Sequence, residues 1–92
     1  MKMNTEKIKT EIENKIAEQK QPIVIGDCIC FKTMSSGFLR LDIIYGDSIV
    51  IKFAEDIKEA RNNRFEDGDI FSTEEYDEGE LYEIIVRAIE EY

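Results

Sequence analysis

The sequence predicts a small α+β domain, a three-stranded antiparallel meander carrying helices on one face, in the order αβββαα. Three observations predict it. Isoleucines recur every four residues near the amino terminus, residues 23–53 alternate apolar and polar with period two, and the last twelve residues return to a helical period. With 92 residues, the chain has room for one core and one domain, spanning 1–92.

The first helix follows from Thr5 to Gln19, which contains no Gly or Pro and places Ile8, Ile12 and Ile16 on one stripe. Gln21-Pro22 closes it, because the residue before proline is pushed out of helical geometry. From Ile23 to Lys32 the period becomes two, with Ile23, Ile25, Ile29 and Phe31 on one face and Asp27 as an interruption. That is the first strand. Met34 to Gly37 reads as a turn, and Phe38 to Tyr45 as the second strand. Gly46-Asp47-Ser48 reads as the next turn and Ile49 to Phe53 as the third strand.

Parity fixes the hairpins, since directly paired residues point to the same face. Three-residue loops align the odd-numbered residues, pairing Phe31 with Leu39 and Ile29 with Leu41 in the first hairpin. In the second they pair Tyr45 with Ile49, Ile43 with Ile51 and Leu41 with Phe53. The even-numbered face, with Val24, Phe38, Ile44 and Val50 among Lys32, Arg40, Asp42 and Lys52, reads as a solvated surface with an Asp42/Lys52 pair, or as a self-association surface.

Glu55 to Arg61 reads as one or two helical turns with Ile57 and Ala60 inward, followed by an irregular stretch. The final helix carries Leu81, Ile84, Ile85, Ala88, Ile89 and Tyr92 on one face. Ser72-Thr73-Glu74-Glu75 has capping-box form, so this helix either begins there and runs through Gly79 or breaks near that glycine.

Composition excludes many functions. The chain has no His, which removes imidazole-based catalysis and His-ligated metals. Cys28 and Cys30 lack the further Cys or His that would complete a tetrahedral metal set, and they read as reduced packing residues of a cytoplasmic protein. The Met1 to Lys7 opening has no signal-peptide character, and the apolar runs are far shorter than the roughly 20 residues of a membrane span. No cofactor, metal, catalytic residue or membrane partner is expected. A net charge of −9 disfavours direct binding of nucleic acid and favours basic partners.

The charge is unevenly placed. Residues 1–46 hold 7 basic and 6 acidic side chains, a net of +1, whereas residues 47–92 hold 5 and 15, a net of −10. Between Phe65 and Val86 lie nine carboxylates and no lysine or arginine. Four readings compete for this tract: a solvated surface, a calcium loop around Asp67-Gly68-Asp69, a catalytic carboxylate pair, and a protein-binding surface that presents negative charge to a cleft built for nucleic acid. The calcium loop lacks the alternating ligands and terminal glutamate of an EF-hand. A catalytic pair needs an apolar pocket to split its pKa values. The fourth reading gains from the interleaved aromatics Phe65, Phe71, Tyr76 and Tyr82, of which the two phenylalanines also suit pinning the segment to the sheet. It assigns charge mimicry to Glu66, Asp67, Asp69, Glu74, Glu75, Asp77 and Glu78, and anchoring to Tyr76.

The order of elements and the stretch IYGDSIVIKFAEDIKEARNNRFEDGDIFSTEEYDEGELYEIIV resemble the small acidic type II-A anti-CRISPR proteins that inhibit Cas9. The resemblance implies an acidic surface that occupies the PAM-reading cleft of guide-loaded Cas9, where arginines normally read guanine edges. The expected function is therefore that of a non-enzymatic phage or mobile-element inhibitor that binds a basic nucleic-acid-binding protein. An immunity or antitoxin-type protein capping a basic nuclease, and a structural adaptor binding through its sheet, are the alternatives.

Overall fold

The computed structural model describes residues 4–92. Met1 to Met3, part of the opening read as lacking a signal, lie outside the described residues. The elements are α1 (Thr5–Ala17), β1 (Ile23–Ile25), β2 (Cys28–Lys32), β3 (Phe38–Ile44), β4 (Ser48–Ala54), α2 (Ile57–Arg61), β5 (Glu66–Ser72) and α3 (Glu78–Glu91). The fold is α+β, as expected, but the meander has five strands in the order β1-β2-β3-β4-β5, all neighbours antiparallel. The order of elements is αββββαβα in place of αβββαα.

Two strands account for the difference. The segment read as one strand folds back at Gly26-Asp27, a two-residue turn with Gly26 at φ 63, so that Ile25 pairs with Cys28. A two-residue turn with glycine at positive φ suits the twist of a hairpin. It also reverses the expected faces: Ile23 and Ile25 now share a side with Cys28 and Cys30, while Val24 joins Ile29. The second addition is β5, in the stretch read as irregular, which pairs with the outer edge of β4.

The first helix is capped by Asn4, whose side chain accepts from the Glu6 amide at 2.9 Å. Ile8, Ile12 and Ile16 are buried, as are Leu81, Ile85 and Ile89 of α3, so both periodic stripes face inward. They meet Phe31, Leu39, Leu41, Ile49 and Ile51 in the main core, which places α1 and α3 over one face of the sheet. The carboxyl end of α3 is held by the β2–β3 turn, where the Met34 amide donates to the Ile89 carbonyl at 3.1 Å. Tyr92 stacks on Phe53 with ring centroids 4.0 Å apart.

The opposite face is not simply solvated. Cys30, Phe38, Ala54 and Ala60 form a second, smaller core, with Ile23, Ile25 and Phe65 packed against it. The short helix α2 therefore lies on the side away from α1 and α3. Ala60 points inward as expected, whereas Ile57 is exposed, because five residues of helix bury little more than one side chain.

The β2–β3 register is the expected one at Phe31 and Leu39. Between β3 and β4 the loop has three residues but comprises Tyr45 to Asp47, one position earlier than expected. Tyr45 (φ 59) and Gly46 (φ 75) make the reversal. Moving a loop of fixed length by one residue moves the register by two, so parity survives: Leu41 faces Ile51 and Ile43 faces Ile49. Leu41 is thus not paired with Phe53, which lies opposite Leu39.

Candidate functional site

The acidic tract forms the far edge of the sheet and then turns onto the helical layer. Glu66, Asp67 and Asp69 stand on β5, exposed along a strand that spans about 20 Å at roughly 3.3 Å per residue. Glu66 pairs with Phe53 on the helix face, and Asp67 pairs with Lys52 on the other. Between the Lys52 and Val50 pairings, Gly68 and Asp69 together oppose Ile51, a bulge. Glycine is required there because an added Cβ at Gly68 would lie 2.8 Å from the Phe53 ring and 3.0 Å from the Ile51 carbonyl oxygen.

Beyond β5 the chain does not start a helix. Ser72 Oγ accepts from the Glu74 amide at 3.2 Å, and the Ser72 carbonyl accepts from Glu75 and Tyr76, so the Ser72-Thr73-Glu74-Glu75 capping pattern closes a turn. Thr73 moors this turn: its hydroxyl donates to the Asp47 carbonyl at 2.9 Å and lies 3.1 Å from the Thr5 hydroxyl. Glu74 and Glu75 are exposed at its tip. Tyr76 is half-buried, its ring edge-on to Phe71 at 5.2 Å, and both rings pack against the main core.

The helix begins at Glu78, ahead of Gly79, with Asp77 as its cap. Asp77 Oδ1 accepts from the Glu80 amide at 2.8 Å and Glu80 Oε1 accepts from the Asp77 amide at 3.3 Å, a reciprocal capping box. Glu78 sits at the positive end of the helix beside α1. Partial burial, a hydrogen bond shared with Glu11 and the Glu11 charge hold its carboxyl above the usual carboxylate range, while Lys15 and Lys7 oppose the shift.

The tract therefore brings together Glu74, Glu75, Asp77 and Glu78 around the start of α3, and strings Glu66, Asp67 and Asp69 along the adjoining sheet edge. On a strand, side chains two apart on one face stand about 6.6 Å from each other, wider than the charge spacing of duplex DNA. The bend onto α3 adds the second row of charge.

Counter-charge that the tract itself lacks reaches it from other elements: Lys15 and Lys7 of α1 act on Glu78, and β4 supplies Lys52. Lys52 Nζ reaches Asp67 Oδ1 at 3.8 Å from the neighbouring strand and is itself 3.0 Å from Asp42 Oδ2. The same Asp42 oxygen lies 3.0 Å from Arg40 Nη2. Arg40 and Lys52 are directly cross-strand, so Asp42 separates two like charges. Arg40 also stacks over Phe65 at 4.4 Å and donates to Asn63 Oδ1 at 3.0 Å, which fixes the entry to β5. Strand parity puts Asp42 and Lys52 on one face, but they pair diagonally and not directly across as expected, since Asp42 lies opposite Val50 and Lys52 opposite Arg40; the part Arg40 plays in seating Phe65 has no local signal.

Among the described residues, no group of three or more Cys, Asp or Glu side chains is arranged to hold a metal ion, and no helix is long and apolar enough to cross a membrane. Compared with known proteins, the chain matches no family model, no curated protein and no solved structure.

Proposed function

We propose that the chain is a non-enzymatic inhibitor that occupies the basic nucleic-acid cleft of a target protein, its acidic edge standing in for the phosphate backbone. The observation that carries this reading is the continuity of exposed carboxylates from Glu66 on β5, through the Glu74-Glu75 turn, to the start of α3. A strand paired along β4 and a capped helix carry these charges on regular backbone, so the ordering that opposes binding is mainly that of the carboxylate side chains themselves. Arginines and lysines of a cleft that receives duplex DNA would meet them, with the charge steering encounter and salt weakening it. The anchors sit on the inner side of the same ridge: Phe71 and Tyr76 fix the tract to the core, and Tyr76 offers its remaining exposed edge to a partner.

Guide-loaded Cas9 is the target that the resemblance implies, and a phage or mobile element the source. In that setting the protein works in the cytoplasm.

The test replaces Glu66 and Glu75 with Gln and Asp69 with Asn in one variant, leaving Asp67 with Lys52 and Asp77 with its cap. The wild-type protein should inhibit Cas9 cleavage and compete with PAM-containing duplex. The variant should fold as well or better and lose inhibition, mainly through slower association. Absence of inhibition by the wild type, with no binding to other basic nucleic-acid enzymes, would overturn the reading.

A further inference from the structure

The β3–β4 hairpin tip and the acidic turn form one end of the molecule. β4 lies between β3 and β5, and its first residue, Ser48, pairs with Ile44 on one side and Ser72 on the other, so the two chain reversals meet. Thr73 joins them: its amide and its hydroxyl both donate to the Asp47 carbonyl, each at 2.9 Å. The side chain of Asp47 is half-buried at this junction, and Glu74 and Glu75 are exposed on the turn itself.

Tyr45 stands two residues before Asp47 and is the most exposed large hydrophobic side chain among the described residues, at 78%. The chain has four tyrosines, and the fold uses the other three: Tyr76 edge-on to Phe71, Tyr82 beneath the Lys15 ammonium at 4.8 Å, and Tyr92 stacked on Phe53. Among the described residues, the Tyr45 ring meets no other ring or cation and its hydroxyl has no hydrogen-bond partner. Its backbone sits at φ 59, which asparagine or glycine enters at less cost than a bulky side chain. Packing therefore does not explain a tyrosine at this position, and residues held in such conformations cluster at functional sites.

We propose that Tyr45 is a second anchor of the acidic surface and stacks on an arginine guanidinium of the basic partner. The proposal rests on the charge-mimic reading above and extends that surface from β5, across the Thr73 turn, to the β3–β4 tip. Charge names the occupant. A ring on a chain of net charge −9, with Asp47, Glu74 and Glu75 at the same end, turns away phosphate-bearing ligands and draws cations. Of the two cationic side chains, arginine suits this end better: its planar guanidinium lies flat on a ring while its N–H groups fork to a carboxylate, whereas an ammonium is a compact, strongly hydrated charge. Stacking thus gives the surface a preference between arginine and lysine that carboxylates alone lack. A buried tyrosine–arginine contact is also the kind that dominates the energy of an interface.

The full chain, titrated by NMR with a hexa-arginine peptide and separately with a hexa-lysine peptide, should bind the first more tightly by about threefold. The arginine side-chain protons should move upfield as they come to lie over a ring. Tyr45→Asn should erase both effects and Tyr45→Phe should keep them. Against guide-loaded Cas9, Tyr45→Asn should weaken inhibition by about tenfold through faster dissociation, in contrast to the slower association of the carboxylate variant. Its melting temperature should be unchanged or higher, because Asn enters the left-handed region more readily. Equal affinity for the two peptides, or none, would overturn the proposal, as would a Tyr45→Asn chain that binds like the wild type. So would a Tyr45 ring that shifts with a single-stranded oligonucleotide and not with the peptides. An intact arginine preference without inhibition of Cas9 would overturn the target alone and uphold Tyr45 as the arginine anchor.

Discussion

Lys52 holds Asp67 across the last pair of strands, Nζ to Oδ1 3.8 Å, and so ties the acidic edge to the sheet that carries it. The same ammonium is committed to Asp42 at 3.0 Å, which makes it the hinge between the charge network of the open sheet face and the first carboxylates of the tract. Replacing Lys52 with Gln should lower the unfolding free energy by about 1 kcal/mol, the upper end for partly exposed ion pairs. Asp67→Asn should cost about 0.5 kcal/mol or less, since its partner keeps Asp42. Urea unfolding at two salt concentrations reads both, and the Lys52 deficit should shrink at the higher salt as the carboxylates it served are screened.

The capping box gives Asp77 a structural duty apart from any partner. Asp77→Ala should destabilise the protein by about 1 kcal/mol, while Asp77→Asn, which still accepts from the Glu80 amide, should recover most of that. If Asp77 also meets a basic partner, Asp77→Asn will bind more weakly at near-normal stability. Thermal unfolding alongside a binding titration separates the two contributions.

Glu78 makes stability depend on pH in a direction unusual for a carboxylate. Its pKa is raised in the folded protein by partial burial and by Glu11, so the folded state binds the proton more tightly than the unfolded chain does. The stabilisation this brings is fully present below the unfolded carboxylate pKa and is lost as pH rises through the elevated folded value. Glu78→Gln should therefore raise stability near neutral pH and flatten this part of the profile, measured as unfolding free energy against pH. Glu11→Gln, which removes the charge beside it, should act in the same direction.

At the bulge, Gly68→Ala should cost about 1 to 3 kcal/mol, because the new methyl meets a backbone oxygen that cannot swing away. Gly79→Ala should not: its Cβ would lie 3.4 Å from Asp77 Oδ1, an ordinary contact, and alanine favours the helix. Comparison of the two denaturation midpoints checks this. A small Gly68 effect would mean that β5 yields locally, and hydrogen exchange in β5 would then rise.

Much of the architecture is written in the periodicities. The stripes of Ile8, Ile12 and Ile16 and of Leu81, Ile85 and Ile89 are buried, because a helix with a single apolar face has one way to dock. Strand parity is equally legible, but parity does not distinguish registers that differ by two, and Tyr45 looks like a strand residue until it adopts positive φ. The strand β5 is hidden for a different reason. Glu, Asp and Gly are poor strand formers, and an edge with exposed side chains needs no apolar alternation, so tertiary pairing with β4 alone gives this segment its shape. Within the site, the exposure of Glu66, Asp69, Glu74 and Glu75 follows from composition. The engagement of Asp67 by Lys52 requires knowing that β5 exists, and the assignment of Asp77 as a cap requires knowing that the helix does not begin at Ser72.

The second core offers a clock for motion on the sheet's open side. Cys30 is fully enclosed beneath Phe38 and Ala60, and burial pushes its thiol up to about 11, whereas Cys28, two residues away, is half-exposed. Under an alkylating reagent the two sulfurs should keep different time: Cys28 reacts at the pace of an accessible thiol, and Cys30 only in the intervals when the second core opens, by movement of α2 or of β1. The lag between first and second adduct, followed by mass spectrometry, would thus measure how often this small core opens while the α1 and α3 side of the molecule stays closed.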